Sequence, residues 1–342
     1  PSSPCRSGRR PPGALPAVYS RLSPTVYGDA LVAGVERSRL FGGAVAEQAA
    51  ARRGNAAQPG MSMVTNERGV TAWATGIGQN ARFGASGNTG FSASSGGAAV
   101  GTDVRLGANY LAGVAAGYTG GRVNSRGTGA NADLDMFHLT AYGSWTSGRV
   151  FVDGQLGLTH AEVTARRDLG VFQTQAHGKA GGWGGNADLQ VGVQYALAGW
   201  SVQPSVGLRY DGLGRDQLTE TGAGALALSV RSDDIASFRS MAGARAERRF
   251  DLGGGYHLTP AARLFWTHEL ADVTTATSAG FASAPGAQMR SVSAKGGRDG
   301  AIAGLGASLQ VPGNIVVYAN YNAHIRDNTT AQAITGGLRF AW

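Results

Sequence analysis

Charged residues and cysteine are scarce in this sequence of 342 residues. Only 15% of the residues are Asp, Glu, Lys or Arg, below the roughly 25% of a typical soluble domain. The lone cysteine, Cys5, cannot form an internal disulfide, which fits an envelope compartment as well as the cytosol. Polar residues interrupt every apolar stretch before it reaches the 18 or so residues that a membrane-spanning helix needs. A helical membrane protein is therefore excluded.

Glycine is abundant, with 55 residues, but its spacing excludes two glycine-rich classes. The glycines lack the triplet period of collagen, and they lie inside alternating apolar runs, which argues against disorder. The net charge of +8 comes from dispersed residues rather than from a basic cluster interleaved with aromatics, so we expect no nucleic-acid partner. The start, PSSPCRSGRRPPG, has neither an initiator Met nor a signal sequence and predicts the back end of a longer precursor.

Alternation of apolar and polar residues predicts β-strands. In WSVQPSVGLRYDG, which begins at Trp200, apolar residues fill one face of an extended chain and mostly polar residues the other. About twelve such segments follow one another, each roughly 10 to 15 residues long, as transmembrane barrel strands require. They cover residues 69–79, 94–106, 109–120, 134–147, 149–162, 183–198, 200–212, 236–251, 254–269, 299–311, 314–325 and 331–342.

The links between these segments alternate between short and long. Short links such as GAN at 107, SG at 147 and PG at 312 alternate with longer ones, and only RDNTT at 326 is of moderate length. Tight periplasmic turns and larger outside loops are typical of an outer-membrane barrel. The sequence therefore predicts an all-β fold, a 12-stranded antiparallel transmembrane β-barrel. We expect a monomer in outer-membrane lipid and lipopolysaccharide, with both barrel ends periplasmic. A soluble β-sandwich is the alternative.

The cost of placing charge in lipid predicts which face of each strand points outward. An Arg at the bilayer midplane costs roughly 2 to 4 kcal/mol, so Arg209 and its neighbours of the same parity face inward. We expect a polar interior, hydrated or filled by something polar, lined by Asp153, Gln155, Asp188, Gln203, Arg209, Asp211, Asn320, Asn322 and His324.

The aromatic residues near the turns and the proline at position 204 each predict a local feature of the barrel wall. Aromatic residues near the short turns predict an interfacial girdle composed of Trp145, Phe151, Trp200, Phe250, Tyr256 and Trp342. Pro204 cannot donate a ladder hydrogen bond, so it predicts a bulge or a locally open ladder.

An alanine-rich segment upstream of the first strand predicts a helix over residues 29–53, despite the glycine pair at 42–43. At 1.5 Å per residue this helix could cross a roughly 30 Å layer, but it is too charged to cross through lipid. Threaded through the pore, it would place Arg37, Arg39, Arg52 and Arg53 near inward carboxylates such as Asp153, Asp188 and Asp211. A solvated periplasmic helix before the barrel is the alternative.

Four segments carry a resemblance to the translocator domain of type V autotransporters, over essentially residues 20–342. The segment LSPTVYGDALVAGVERSRLFGGAVAEQAAARR is similar to the family's junction, and VTAWATGIGQ to its first strand. The stretch VGTDVRLGANYLAGVAAGYTGGRVN resembles its second hairpin. The final TGGLRFAW resembles the terminal insertion signal, with Thr335, Gly337, Phe340 and Trp342 in its four slots.

The resemblance implies a twelve-stranded barrel with a helix through its pore, inserted by the outer-membrane barrel assembly machinery. Such a barrel assists export of its own N-terminal passenger to the cell surface and anchors it there. Residues 1–26 would be a passenger remnant or linker, 27–60 the junction with the pore helix, and 61–342 the translocator. Some relatives cut themselves inside the pore with an Asn pair in the helix; this helix has none, and Asn55 lies near its end.

The motifs of enzymes and metal sites do not stand out in the sequence. The six histidines form no HExxH spacing, and no Gly-x-Ser-x-Gly elbow is present. The GxGxxA at Gly76 lies in an alternating strand rather than before a helix. We therefore expect no catalytic, metal or cofactor site. The alternatives are a stand-alone porin or adhesin, or a barrel enzyme whose Ser, His and Asp are brought together by the fold.

Overall fold

One long helix and eighteen strands account for most of the structure. The computed structural model describes residues 19–53, 69–85, 89–272, 275–294 and 296–341. Helix α1 is Thr25–Arg53. The strands are β1 Val70–Phe83, β2 Phe91–Leu106, β3 Tyr110–Ser125, β4 Ala130–Ser147, β5 Val150–Asp168, β6 Gln175–Val193, β7 Tyr195–Leu197, β8 Trp200–Arg215, β9 Leu218–Thr219, β10 Leu228–Val230, β11 Asp233–Glu247, β12 Phe250–Gly253, β13 Tyr256–Glu269, β14 Ala276–Phe281, β15 Ala284–Val292, β16 Asp299–Val311, β17 Ile315–Arg326 and β18 Thr329–Ala341.

Antiparallel pairing closes twelve of these strands into a barrel, which confirms the predicted fold. The order is β1-β2-β3-β4-β5-β6-β8-β11-β13-β16-β17-β18, and β18 pairs back with β1, where Thr71 lies opposite Ala341. The short strands β7 and β12 pair with β8 and β13 at the tight turns. Closure leaves no free edge in the wall, which a β-structure in lipid requires.

The two ends of the barrel differ as predicted. One, here called the turn end, carries the tight turns 107–109, 148–149, 198–199, 254–255 and 312–314. Gly199 and Gly313 adopt positive φ of 79° and 92° in two of these turns, a conformation that glycine tolerates best. The other, the loop end, carries the longer connections. Two of them contain strands that form a separate four-stranded sheet in the order β15-β14-β10-β9.

The strands extend further towards the loop end than predicted. For example, β3 continues to Ser125 and β5 to Asp168, and the β17–β18 connection shrinks to the two residues 327–328. Outward residues of the extensions, such as Arg122 and Asp133, are charged and paired with each other. Beyond the hydrocarbon layer an outward side chain need not be apolar, so alternation stops although the hydrogen-bond ladder continues.

Side chains divide between the two faces of the wall with a period of two. Val206 and Leu156 are 60% and 68% exposed on the outside, whereas Asp211 is only 1% exposed inside. Phe151 was wrongly predicted to join the outer girdle. It shares the inward parity of Asp153 and is buried in the lumen. Trp342 lies outside the described residues. Exposed aromatics mark the turn end, namely Tyr110, Tyr195, Trp200, Phe250, Tyr256 and Phe340.

Pro204 interrupts the ladder on one side only. Pairing between β6 and β8 stops at Gly192–Ser205 and resumes between β7 and β8 at Tyr195–Val202 in the same register. On the other side, Pro204 lies opposite Ala244 without a register shift. The ladder is thus locally open, one of the two predicted outcomes, and there is no bulge at this position.

Helix α1 lies inside the barrel, and 22 of its 29 residues are buried. It ends at Arg53 as predicted but begins at Thr25, four residues earlier than expected. Among the described residues no helix combines the length and apolarity needed to cross a membrane. The interior is less polar than predicted, because two apolar clusters pack on the helix. One surrounds Tyr27 and Leu31 near the loop end, and the other joins Phe41 to Trp73 and Leu111.

Candidate functional site

The lumen and its helix form the candidate site, and the helix crosses the lumen from the loop end to the turn end. At the loop end, Tyr27 donates a hydrogen bond to Glu220, at 2.8 Å, beside the four-stranded sheet. At the turn end, Arg52 donates to the carbonyl of Gly69, at 3.0 Å, just before β1 begins. Just upstream of the helix, Ser20 and Arg21 contact the carbonyls of Gly127 and Asp168, so residues 19–24 also lie at the loop end.

Arg52 is held by a buried network on β1, β2 and β4. Its Nε donates to Asp103 at 2.7 Å, and both side chains are 1% exposed or less. The Tyr142 hydroxyl donates to the other Asp103 oxygen at 2.9 Å and accepts from Trp73 Nε1 at 2.8 Å. Asp103 was missing from the predicted partners, because its parity alone did not single it out among inward residues of β2.

Arg53 meets the predicted Asp153 and two further groups. Its guanidinium forms an ion pair with Asp153, donates to Gln203 Oε1 at 2.6 Å, and lies 3.5 Å from the ring centroid of Phe151. The Asp153 carboxylate also accepts from Ser144 at 2.6 Å. The inward face of β5 thus supplies both a charge and an aromatic surface to the last residue of the helix.

The middle of the lumen links helix and wall through shared carboxylates. Asp211 accepts from Arg39 Nε at 3.2 Å and from Arg209 Nε at 3.1 Å. Asp188 lies 3.8 Å from Arg209 and pairs with no arginine of the helix in the described structure. Its predicted partnership with the helix is therefore indirect, because Arg209 on β8 lies between them.

Arg37 departs from the expectation that each helix arginine meets a carboxylate. It is 1% exposed, and its guanidinium donates to the carbonyl oxygens of Leu134 and Ser94, the latter at 3.2 Å. The strands β3 and β4 beside it offer inward residues that are mostly small or apolar. Backbone carbonyls thus replace the missing carboxylate, which sequence parity could not reveal.

Glu36 and Glu47 on the helix were not among the predicted residues. Glu36 lies 2.7 Å from Arg326 and 3.3 Å from Arg239, and it also pairs with Arg39 on its own helix. Glu47 pairs with Arg263 and lies 2.6 Å from Arg245. A signal was available in the sequence, since the two glutamates are eleven residues apart and so share one helix face.

The predicted Asn320 and Asn322 lie on β17, and the terminal Thr335, Gly337 and Phe340 lie on β18. Asn322 accepts from Arg263 Nε at 2.9 Å, and Asn320 donates to Thr335 at 3.5 Å. Thr335 is buried in the lumen, and Phe340 is exposed on the outer wall near the turn end. A Cβ at Gly337 would lie 2.0 Å from the Ala74 carbonyl oxygen, so this close approach of β18 to β1 requires glycine. Trp342, as noted, is outside the described residues.

A buried ion pair fastens the four-stranded sheet to the barrel and the helix. Arg167 Nη2 lies 2.6 Å from Glu220, and neither side chain is exposed. Glu220 also accepts from Tyr27 and from the backbone N–H of Leu228, at 2.9 Å. One carboxylate thus connects the barrel wall, the helix and the surface sheet at the loop end.

Helix α1 does not fill the lumen evenly. It packs chiefly against β3, β4 and β5. On the opposite side a cavity of about 170 Å³ remains, lined among others by Arg39, Arg209, Arg239, Glu47 and Thr267. Within the described ranges, no group of three or more His, Cys, Asp or Glu side chains is arranged to hold a metal ion. The buried His138 instead contacts the hydroxyls of Thr119 and Thr159, at 2.9 and 3.0 Å.

Comparison with known sequences places this architecture among secretion proteins. The chain matches the family described as "Autotransporter beta-domain" over residues 72–322. It is also similar to the "Extracellular serine protease" of Serratia marcescens, with 23% identity over 324 residues. That match covers 93% of this chain but 30% of the relative, so the chain spans less than a third of the relative's length.

Solved structures of low sequence identity share the fold. The translocator domain of autotransporter NalP from Neisseria meningitidis aligns with a TM-score of 0.71 at 18% identity, covering 93% of this chain and 99% of that one. The transport unit of autotransporter AIDA-I from Escherichia coli gives 0.63 at 14% identity, with coverage of 84% and 95%. The β domain of the Bordetella autotransporter BrkA gives 0.60 at 17%, with 80% and 100%.

Proposed function

Because the chain belongs to the autotransporter β-domain family and is thus an outer-membrane translocator of type V secretion, we propose that it exports and anchors its own N-terminal passenger. The family is a transport domain rather than an enzyme. In this proposal the loop end faces the cell surface, and the turn end, with both ends of the barrel, faces the periplasm.

The direction of helix α1 is the observation that carries the proposal. Its first residues lie beside the four-stranded sheet at the loop end, where Tyr27 contacts Glu220. Its last residues meet Asp103 and Asp153 at the turn end. A passenger joined upstream of Thr25 would therefore emerge outside, while the barrel holds its tether.

The predicted site residues take two roles in this function. Arg39, Arg52 and Arg53, with the lumen carboxylates, fasten the helix so that a passenger on the surface stays attached. Withdrawal of the helix would have to break these buried ion pairs together, so they resist it. The lumen residues Asp188, Arg209, Asn320 and Asn322 keep the cavities beside the helix polar.

The partners follow from the same assignment. The apolar outer band contacts outer-membrane lipid, and the charged strand extensions at the loop end contact lipopolysaccharide. Thr335, Gly337, Phe340 and Trp342 serve as the signal that the barrel assembly machinery reads. We propose a monomer, with residues 1–26 as linker or passenger remnant, 27–60 as junction and 61–342 as translocator.

Epitope accessibility on intact cells tests both export and orientation. A short epitope is placed upstream of Tyr19 behind a signal sequence, and antibody binding is measured on intact and on permeabilised cells. We expect binding to intact cells. A matched epitope in the loop-end segment 221–227 should also bind, whereas one in the tight turn 312–314 should bind only after permeabilisation. The opposite pattern at these two sites would reverse the orientation, and an inaccessible upstream epitope would refute export.

A further inference from the structure

The glutamates of helix α1 face a set of arginines on the far side of the lumen. These arginines, here called the arginine wall, are Arg239 and Arg245 on β11, Arg263 on β13 and Arg326 on β17. Glu36 pairs with Arg239 and Arg326, and Glu47 pairs with Arg245 and Arg263. All side chains of these two groups are at most one quarter exposed. The contacts therefore lie inside the lumen, away from bulk solvent.

The spacing of the glutamates matches the spacing of the arginine wall. Eleven helical residues rise about 16 Å and complete about three turns, so Glu36 and Glu47 point the same way. Arg239 and Arg245 are six residues apart on one strand, about 20 Å along it. A tilt of about 40° reduces this to about 15 Å along the barrel axis. Both glutamates thus reach their arginines at one helix depth and one rotation.

A shift of the helix by one turn breaks both contacts together. Movement towards the loop end brings Leu40 and Ala51 to the positions of Glu36 and Glu47, and movement the other way brings Val32 and Gly43. Arg239 and Arg245 would keep Glu269 and Glu247 as partners. Arg326 has no second ion pair among the described residues, so it would stay buried and unpaired.

We propose that Glu36 and Glu47 are positioning residues that set where the helix stops in the lumen. This rests on the proposed export function, in which the chain moves from the turn end to the loop end before it comes to rest. Glu36 reaches Arg239 and Arg326, and Glu47 reaches Arg245 and Arg263, only at the observed depth of the helix. Arg39, Arg52 and Arg53 then meet Asp211, Asp103 and Asp153 at the same depth.

Disulfide trapping in the full chain measures the depth directly. In a Cys5→Ser background, Gly28→Cys with Ser293→Cys reports the observed depth, because a Cβ at position 28 lies 3.5 Å from the Ser293 Cβ. Val32→Cys with Ser293→Cys reports a helix displaced by one turn towards the loop end. We expect the first pair to cross-link in the parent and the second to remain reduced.

Replacing both glutamates should shift the balance between these two reports. E36Q with E47Q keeps the side-chain size, and we expect the displaced cross-link to rise about tenfold relative to the native one, since two buried ion-pair groups lose their preferred register. An unchanged ratio in a barrel that still shows a heat-dependent gel shift would overturn the proposal. If the double variant does not fold, E36Q and E47Q are measured singly; a smaller rise is expected from each, and no rise in either also overturns it.

The control and the second readout separate this proposal from the export function. Glu162→Gln removes an ion pair with Lys179, at 3.1 Å on the outer wall, and should leave the cross-link ratio unchanged. Display of the upstream epitope is measured in the same cells. Lost display in the parent would count against export, whereas an unchanged cross-link ratio in a displayed protein would count only against the role of the glutamates.

Discussion

At the scale of single residues, each buried charge in the lumen is accommodated by the groups around it, and these groups differ even between residues of the same type. Arg52 and Arg53 each meet a carboxylate, while the equally buried Arg37 binds two backbone carbonyls. A buried charge is tolerated only when it is paired and hydrogen-bonded. The residues that matter most are therefore those whose removal leaves a partner buried alone.

Arg167→Met tests this at the loop end, where it strands Glu220. We expect a loss of about 3 to 5 kcal/mol in the free energy of unfolding, because the carboxylate remains buried without its cation. Denaturant titration of the detergent-refolded barrel measures it. Arg122→Met removes a half-exposed ion pair with Asp133 and is the matched control, expected to leave the midpoint unchanged. Equal midpoints for both variants would contradict the argument.

Phe340→Ala tests the terminal insertion signal. Phe340 and Leu338 are both exposed on the outer wall of β18, but only Phe340 occupies a slot of the signal. We expect Phe340→Ala to lower the amount of heat-modifiable barrel in outer membranes several-fold and Leu338→Ala to lower it little. A similar decrease for both would assign the effect to lost lipid contact.

At the scale of elements, helix α1 is stabilised by contacts with the lumen on all its sides. Alanine favours the helix, but buried residues lie all round it, so no single amphipathic face orients it. Its two adjacent glycines differ in surroundings. A Cβ at Gly42 would lie 2.5 Å from Arg209 Nη2 and 3.0 Å from Gln155 Nε2, whereas a Cβ at Gly43 would meet nothing within 4 Å.

The glycine pair therefore offers a matched comparison. Gly43→Ala should stabilise the barrel with its helix by up to about 1 kcal/mol, because alanine loses less backbone entropy in a helix. Gly42→Ala should instead destabilise it by about 1 to 3 kcal/mol, since the buried guanidinium of Arg209 must shift to make room for the added methyl group. The temperature at which the folded band disappears from an unboiled gel series gives the order of the variants. The reverse order would show that the helix is not seated as described.

At the scale of the whole molecule, the helix and the barrel wall pack together and form one unit, with the helix inside the closed barrel. The barrel is closed by pairing of β18 with β1, and α1 occupies much of its lumen. Cavities remain beside the helix, among them one of about 170 Å³ beside the arginine wall and one of about 80 Å³ lined by Glu47, Arg245 and Tyr318. At the loop end, Glu220 connects the four-stranded sheet to the barrel wall and to the helix. Conduction through the pore should therefore depend on the helix.

Deletion of residues 29–53 should raise single-channel conductance in a planar bilayer several-fold over the intact chain, because water and ions then fill the space of the helix. Boiled and unboiled gel samples of both proteins confirm that each barrel is folded before conductance is compared. An unchanged conductance with a folded barrel would remove the helix from its role as a plug.

The sequence alone was enough to predict the number of barrel strands, the alternation of turns and loops, and the lipid-facing parity. These follow from local chemistry, since lipid penalises each outward charge and tight turns need particular residues. It also determined that a helix ends at Arg53. The strand ends at the loop end could not be predicted from the sequence. Beyond the hydrocarbon layer outward residues need not be apolar, so the apolar–polar alternation stops before the strands do.

Which charges meet inside the lumen became clear only from the folded barrel. Asp103, Glu36, Glu47 and Glu220 each meet an arginine that is distant in sequence but lies at the same depth of the lumen. The inward direction of Phe151 could have been read from its shared parity with Asp153, but not its position against Arg53. A period of two tells which side of the wall a residue faces, but not its height relative to a helix. That height depends on strand tilt, register and the seat of the helix, which exist only once the barrel has closed.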